Sequence, residues 1–320
     1  MRSKKLKEGF CSRFLSRSTF SDDGFRVTSI FWHSIANCSD KVDYEHIGGA
    51  PYIYETLLDC RFRVSPSAFF QTNSQAASVL YATIGEACGL SLRNDSSCSE
   101  MGIVPAKRAK LDDDVSCDVI KEDTASSVEL NSGTGNDCVQ TPAVITDDFV
   151  EKPTVILDIC CGTGTIGQFI MKEFKKRKEV YCIGVDIVDS AIVDAKENAK
   201  ANGLQDMCCY IAGKAEDVFQ SLRYNVPSGF DLNKSNVVGI LDPPRCGVHE
   251  KVVLGCRMME SLRRLVFVSC DPSAAMKNII DLCRPTSKKF AGQPFLISTI
   301  QPVDMFPQTP HIEWVVTLER

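Results

Sequence analysis

The stretch Val155-Ile-Leu-Asp-Ile-Cys-Cys-Gly-Thr-Gly-Thr-Ile-Gly167 decides how the rest of the chain is read. A short apolar run carries Asp158 near its end, a glycine-rich turn follows, and the residues after it can continue as a helix. That is the strand, tight turn and helix start of a nucleotide-type cofactor site. Glycines at 162, 164 and 167 let the backbone turn sharply and approach a ligand where a Cβ would collide. Glycine also serves plain turns, so the loop alone does not name its ligand.

Downstream of this loop the pattern is regular. Apolar runs at 155–159, 180–185, 208–211, 237–241 and 265–269 alternate with helical segments, which predicts an α/β fold with a parallel, doubly wound sheet of Rossmann-like type. Ser190 is the expected cap of a helix starting at Ala191, and Gly203 its end. Phe295–Ile300 and Trp314–Leu318 read as two further strands joined by a loop.

Upstream, Phe25–Trp32, Ile47–Glu55 and Leu57–Val64 resemble short strands of a small α+β unit that looks incomplete. Ser65–Ser74 reads as a loop leading into a helix capped by Asn73, with Ala76, Ala77, Leu80, Tyr81 and Ile84 as its apolar face and Gly89 as its stop. Residues 1–20 are rich in Lys, Arg and Ser with interspersed Phe and Leu. They read as an amphipathic helix of a folded domain in preference to a mitochondrial transit peptide. The expected organisation is a partial central domain over 1–70, a linking helix over 71–90, an insertion over 91–150 and a catalytic domain over 151–320.

The insertion stands apart by composition. Ser, Asp, Gly and Thr dominate, and 5 Lys/Arg face 12 Asp/Glu, which leaves the other 260 residues at a net +2 although the whole chain is −5. Such a segment buries too little apolar surface to offset its ordering entropy, so disorder is expected there. Within it, Pro105-Ala-Lys-Arg-Ala-Lys-Leu-Asp112 resembles a nuclear-import signal, which sets the expected location as nucleus and cytosol. The chain has 16 cysteines, none of them spaced as CxxC, so they read as small apolar residues of a reducing compartment and no metal is expected.

NAD and S-adenosylmethionine compete for the glycine loop, since both use a carboxylate after the second strand to bind ribose hydroxyls. Asp186, closing Tyr181-Cys-Ile-Gly-Val-Asp, fills that role. Asp158 beside the glycines suits a cationic sulfonium better than a pyrophosphate, and Asp242-Pro-Pro-Arg245 at the end of the fourth strand faces the same crevice. The fifth strand ends in Ser269-Cys-Asp-Pro272, which brings a thiol there too. Carbon-5 of a pyrimidine is a poor nucleophile; a thiolate adding to carbon-6 activates it, and a base must then remove the carbon-5 proton so that the cysteine can leave. In the last loop His311 and Glu313 are both candidates for that base, and burial beside Trp314 and Phe306 would raise a carboxylate toward a useful pKa.

Phe69-Phe-Gln-Thr-Asn73, Asp158 to Gly167, Asp242-Pro-Pro-Arg245, Ser269-Cys-Asp-Pro272 and Phe306-Pro-Gln-Thr-Pro-His-Ile-Glu313 occur in that order. Together they resemble the RNA (uracil-5-)-methyltransferase family. The resemblance implies an S-adenosylmethionine-dependent methyltransferase fold, 5-methyluridine as product, and tRNA as partner, at the T-loop uridine. It implies Cys270 as nucleophile, Glu313 as base, and Gln71, Cys160, Thr165, Asp186 and Asp242 as cofactor contacts; Arg245 and His311 are expected near the substrate. Three positions depart from the family pattern. Cys160 replaces an aromatic, Asp186 a glutamate, and Asp271 an asparagine, where a carboxylate beside Cys270 would raise the thiol pKa. Residues 251–289 hold 8 Lys/Arg against 3 Asp/Glu, a patch that could meet RNA phosphates. An RNA cytosine-5 methyltransferase using Cys246, a nicotinamide oxidoreductase and a catalytically idle tRNA-binding or folding factor are the rival readings.

Overall fold

The computed structural model describes residues 27–33, 44–89, 152–173, 179–219 and 221–320. The expected insertion, its basic cluster and the segment 1–20 lie outside these residues. In chain order the strands are β1 (Ser29–Trp32), β2 (Glu45–Gly49), β3 (Ile53–Leu57) and β4 (Cys60–Val64), then helix α1 (Ser74–Ala87). β5 (Thr154–Ile159), α2 (Thr165–Glu173), β6 (Val180–Asp186), α3 (Asp189–Ala201), β7 (Cys208–Ala212) and the short α4 (Ala215–Val218) follow. The chain closes with β8 (Asn236–Leu241), α5 (Glu250–Met258), β9 (Leu262–Ser269), α6 (Pro272–Cys283), β10 (Leu296–Val303) and β11 (Glu313–Glu319).

Seven strands form one sheet in the order β10-β11-β9-β8-β5-β6-β7. β9, β8, β5, β6 and β7 run parallel, whereas β11 pairs antiparallel with β9 and β10 antiparallel with β11. All six residues of β5 are buried, as expected for the centre of a sheet covered on both faces. Alternate residues serve the two faces: Ile156, Cys182, Ile240, Val266 and Val315 pack into one core with α1, α2 and α3. Val155, Leu157, Ile183, Leu241, Phe267 and Val316 pack into the other with α5 and α6. The order reverses on the two sides of β5, so the crevice beyond the carboxyl ends of β5 and β8 is the natural ligand position.

Three expectations are corrected. Leu57–Val64 is not one strand: Leu57 closes β3, and a left-handed turn at Leu58 (φ +50) and Asp59 (φ +61) leads into β4. Nor is Ile47–Glu55 one strand. Gly49 breaks it at φ +79, and β2 pairs with β1 while β3 pairs with β4. α3 starts at Asp189 with Val188 at the cap position, so Ser190 lies inside the first turn and its hydroxyl sits 3.0 Å from that of Ser67. The entry to α3 is held instead by Asp186, whose Oδ1 accepts from the Val188 N–H at 2.9 Å. At the other end Gly203 N–H and Leu204 N–H bond back to Lys200 and Ala199, the double closure that ends a helix at a glycine.

Candidate active site

The carboxyl ends of the parallel strands and the amino end of β11 meet at one edge of the sheet. Asp158 is the last residue but one of β5, and its register partners are Gly184 on β6 and Ile240 on β8. Asp186 closes β6, and Asp242 follows β8 directly. β11 runs opposite to β9 with Trp314 beside Ser269. Continued by one residue, that register places Glu313 across from Cys270. The hairpin loop 304–312 between β10 and β11 therefore hangs over this edge.

The glycine turn is built by left-handed backbone at Cys160 (φ +65), Gly162 (φ +55) and Gly164 (φ +77). A Cβ on Gly162 would meet nothing within 4 Å, so the turn opens a cradle there. On Gly164 it would lie 2.9 Å from the Tyr210 hydroxyl and 2.8 Å from Gln168, so packing behind the turn demands glycine. Asp186 Oδ2 accepts from the Gly162 N–H at 2.8 Å and ties the second strand's carboxylate to the turn. Asp158 is fully buried; Oδ2 accepts from the Gly167 N–H at 3.0 Å, while Oδ1 has no protein partner.

This edge is acidic and poorly solvated. Burial raises Asp158 to about 7, with Asp242 and Asp186 adding to the shift and the Gly167 N–H opposing it. Burial alone raises Asp242 to about 7. Glu313, 3% exposed, rises to about 8 through burial and then through Asp242. Such a crevice repels a pyrophosphate and accommodates a cation. The open cradle at Gly162, the ribose-type carboxylate of Asp186 and the unpaired oxygen of Asp158 together fit a nucleoside sulfonium.

Cys270 is half-buried just past β9. Burial raises its thiol pKa, Glu313 raises it further, and a hydrogen bond with Arg245 works against both. Asp271 does not act as its sequence position suggests: its Oδ1 accepts from the Ser273 and Ala274 N–H groups at 3.1 Å and caps α6. The charges that raise the thiol come from Glu313 and Asp242. Cys160 is half-buried beside the turn, and burial with the three nearby aspartates pushes its thiol up to about 12, so it stays neutral. Cys246 is exposed.

The structure thus brings Cys270, Arg245, Glu313, Asp242, Asp186, Cys160 and Thr165 to one edge. It separates the two candidates for the base. Glu313 is buried there, whereas His311 is exposed with its ring edge-on to Phe306 at 6.4 Å. Gln71 is half-buried in the segment before α1. That segment is tied to the hairpin loop by Asn73, which donates to the Met305 carbonyl at 3.3 Å while capping α1. Tyr81 was legible only as part of an apolar helix face. Its buried hydroxyl donates to Thr165 Oγ1 at 3.1 Å; burial raises its pKa, and Asp242, Asp158 and Glu313 lie close enough to add to the rise. A phenol on an otherwise aliphatic stripe was the available signal. The basic patch over 251–289 is partly consumed internally: Arg257, 1% exposed, donates to six backbone carbonyls between Asp281 and Gly292, and Arg264 pairs with Glu319.

Residues 151–298 match the family model described as "Methyltransferase domain". The chain is 35% identical over 276 residues to the human "tRNA (uracil-5-)-methyltransferase homolog A", which covers 86% of this chain and 33% of that protein. It is 29% identical over 300 residues to the human homolog B, covering 92% of this chain and 45% of that protein. The chain therefore spans between a third and a half of the curated relatives it matches. Its fold is that of the Pyrococcus abyssi tRNA (uracil-54, C5)-methyltransferase solved with S-adenosyl-L-homocysteine, at TM-score 0.54 and 23% identity over 92% of this chain and 50% of that one.

Proposed function

The chain is a relative of the tRNA (uracil-5-)-methyltransferases, and from that premise we propose that it methylates carbon-5 of a uridine in tRNA, the T-loop uridine, through a covalent adduct on Cys270. The observation that carries the proposal is the pairing of Cys270 with Glu313 across the end of β9 and β11, both desolvated, with Arg245 at the thiol. S-adenosylmethionine, when bound, supplies a methyl group activated by its sulfonium to the electron-rich carbon-5. The residues that would hold it are those of the turn around Cys160 and Gly162, with Thr165, Asp186, Asp242 and Gln71.

Cys270 as thiolate adds to carbon-6 of the uracil, which makes carbon-5 nucleophilic. Arg245 lowers the pKa of that thiol against the opposing effect of Glu313 and burial. Once carbon-5 carries the methyl group, Glu313 takes its proton and the Cys270 sulfur is expelled, restoring the ring double bond and yielding 5-methyluridine. As base Glu313 acts in its ionised form, and a carboxyl raised to about 8 by burial and by Asp242 binds the abstracted proton more firmly than an ordinary carboxylate does. His311, on the exposed loop, is available to RNA and not to the reacting carbon.

Incubation with tRNA carrying 5-fluorouridine tests the proposal, because a fluorine at carbon-5 cannot leave as a proton and the adduct persists. Wild type and Cys246→Ala should form a covalent complex, and Cys270→Ala none. Glu313→Gln should accumulate adduct even on ordinary tRNA. Loss of the adduct on Cys246→Ala with retention on Cys270→Ala would transfer the chemistry to the cytosine-type arrangement. A wild-type chain that binds tRNA without any adduct would be an idle binder. Mapping 5-methyluridine in the product then identifies the position.

A further inference from the structure

α3 presents an unusual inner face. Asp194, Asn198 and Asn202 recur at every fourth position, so they stack along one side of the helix. All three are buried, at 0%, 1% and 5% exposure. Buried polar side chains require partners; Asn198 and Asn202 find theirs on the backbone of β4, and Asp194 on the Arg63 side chain and the N–H of Ser65 just beyond it. In the two-stranded ribbon the outer edge of β4 has no neighbouring strand, and side chains of the helix take the place of one. Asn198 Oδ1 accepts from the Arg63 N–H at 2.6 Å and its Nδ2 donates to the Arg63 carbonyl at 3.3 Å. Asn202 repeats the pattern on Arg61 at 2.9 and 3.1 Å. Asp194 accepts from the Ser65 N–H at 2.9 Å and from Arg63 Nε at 2.6 Å. The spacing matches: four helical residues rise about 6 Å, and two strand residues advance about 6.7 Å.

Asn198 also reaches the other way. Its Nδ2 donates to the Thr163 carbonyl, inside the glycine turn, at 3.2 Å. Asn202 is anchored instead to Gln168 on α2, behind the turn, at 3.0 Å. Among the three, Asn198 bonds both to the ribbon strand and to the turn that lines the crevice. Two residues past Arg63 begins the Ser65–Gln71 segment, which ends in a residue assigned to the donor.

We propose that Asn198 is a positioning residue that couples occupancy of the crevice to the placement of the Ser65–Gln71 segment. A ligand that fixes the turn fixes the Thr163 carbonyl, the shared amide of Asn198 and, through it, the Arg63 backbone. The inference rests on reading the crevice as the S-adenosylmethionine site.

Residue-resolved hydrogen exchange of the full wild-type chain, with and without saturating S-adenosylhomocysteine, tests it. The Arg63 amide should slow more than the Arg61 amide, which is held by Asn202. Asn198→Asp keeps the acceptor for Arg63 and, when ionised, loses both donated bonds. It should bind S-adenosylhomocysteine about tenfold more weakly, the usual scale for a lost buried bond. That deficit, taken as a ratio to wild type, should shrink as falling pH protonates the new carboxyl and restores a donor. Asn202→Asp should lower the melting temperature and leave the dissociation constant near wild type. Equal responses at Arg63 and Arg61, or equal changes in affinity for the two variants, would overturn the coupling. The wild-type exchange decides the matter should Asn198→Asp fail to fold. A wild-type chain that binds no S-adenosylhomocysteine sinks the donor-site reading and this coupling with it; binding without the Arg63 response sinks the coupling alone.

Discussion

The thiol pKa of Cys270 is set by residues that are distant in sequence and not by its neighbour. Asp271 spends its carboxylate on two N–H groups of α6, whereas Glu313, 43 positions downstream, and Arg245 set the thiol. The signs can be tested by alkylating Cys270 with iodoacetamide across pH. Glu313→Gln removes a charge that raises the thiol pKa, so the alkylation profile should move to lower pH. Arg245→Ala should move it to higher pH. Asp271→Asn should leave it in place, since asparagine also caps helices, and Asp271→Ala should cost about 1 kcal/mol of stability through the lost cap. A profile that follows Asp271 instead of Glu313 would contradict the assignment of these charges.

At the scale of elements, the glycine turn is held from behind as firmly as it is open in front. Gly164 has φ +77 and its missing Cβ is occupied by Tyr210 and Gln168. Gly164→Ala combines backbone strain of about 1 kcal/mol with displacement of a buried ring. The expected result is a lower melting temperature and loss of S-adenosylhomocysteine binding by calorimetry. Gly162→Ala meets open space and strains only the backbone, so its melting temperature should drop less. Such turns are legible in sequence because glycine has few other reasons to recur at that spacing. The central strands were legible for a related reason: strands buried on both faces are largely apolar, as β5 is apart from Thr154 and Asp158. Asn73 as the cap of α1 was legible because its partner, Ala76, is three residues away. What escaped depends on partners far along the chain. Asn198 and Asn202 look like ordinary polar positions of a surface helix until β4, more than a hundred residues upstream, is laid against them. Arg257 looks like a charge available to RNA until the carbonyls around Leu282 and Phe290 enclose it.

For the molecule as a whole, the crevice is a site of stored protonation. Asp158 and Asp242 ionise near 7 and Glu313 near 8 in the fold, against about 4 in an unfolded chain. Between those limits the native state binds more protons than the unfolded one, so stability falls as pH rises from about 4 to about 8 and then levels. The ligand-free chain should melt at a higher temperature at pH 5.5 than at pH 8.5, and a flat profile would mean that these carboxyls are better solvated than the structure shows. The same carboxyls should distinguish a charged donor from its neutral product. A sulfonium favours their ionised forms, and the uncharged sulfur of S-adenosylhomocysteine does not. Binding of S-adenosylmethionine near pH 7 should therefore release more protons than binding of S-adenosylhomocysteine. Titration calorimetry in buffers of different ionisation enthalpy reads the difference directly, and Asp242→Asn should diminish it. Equal proton release by the two ligands would mean that the acidic crevice does not face the sulfur, and the donor's methyl group would then be aimed elsewhere than at the Cys270–Glu313 edge.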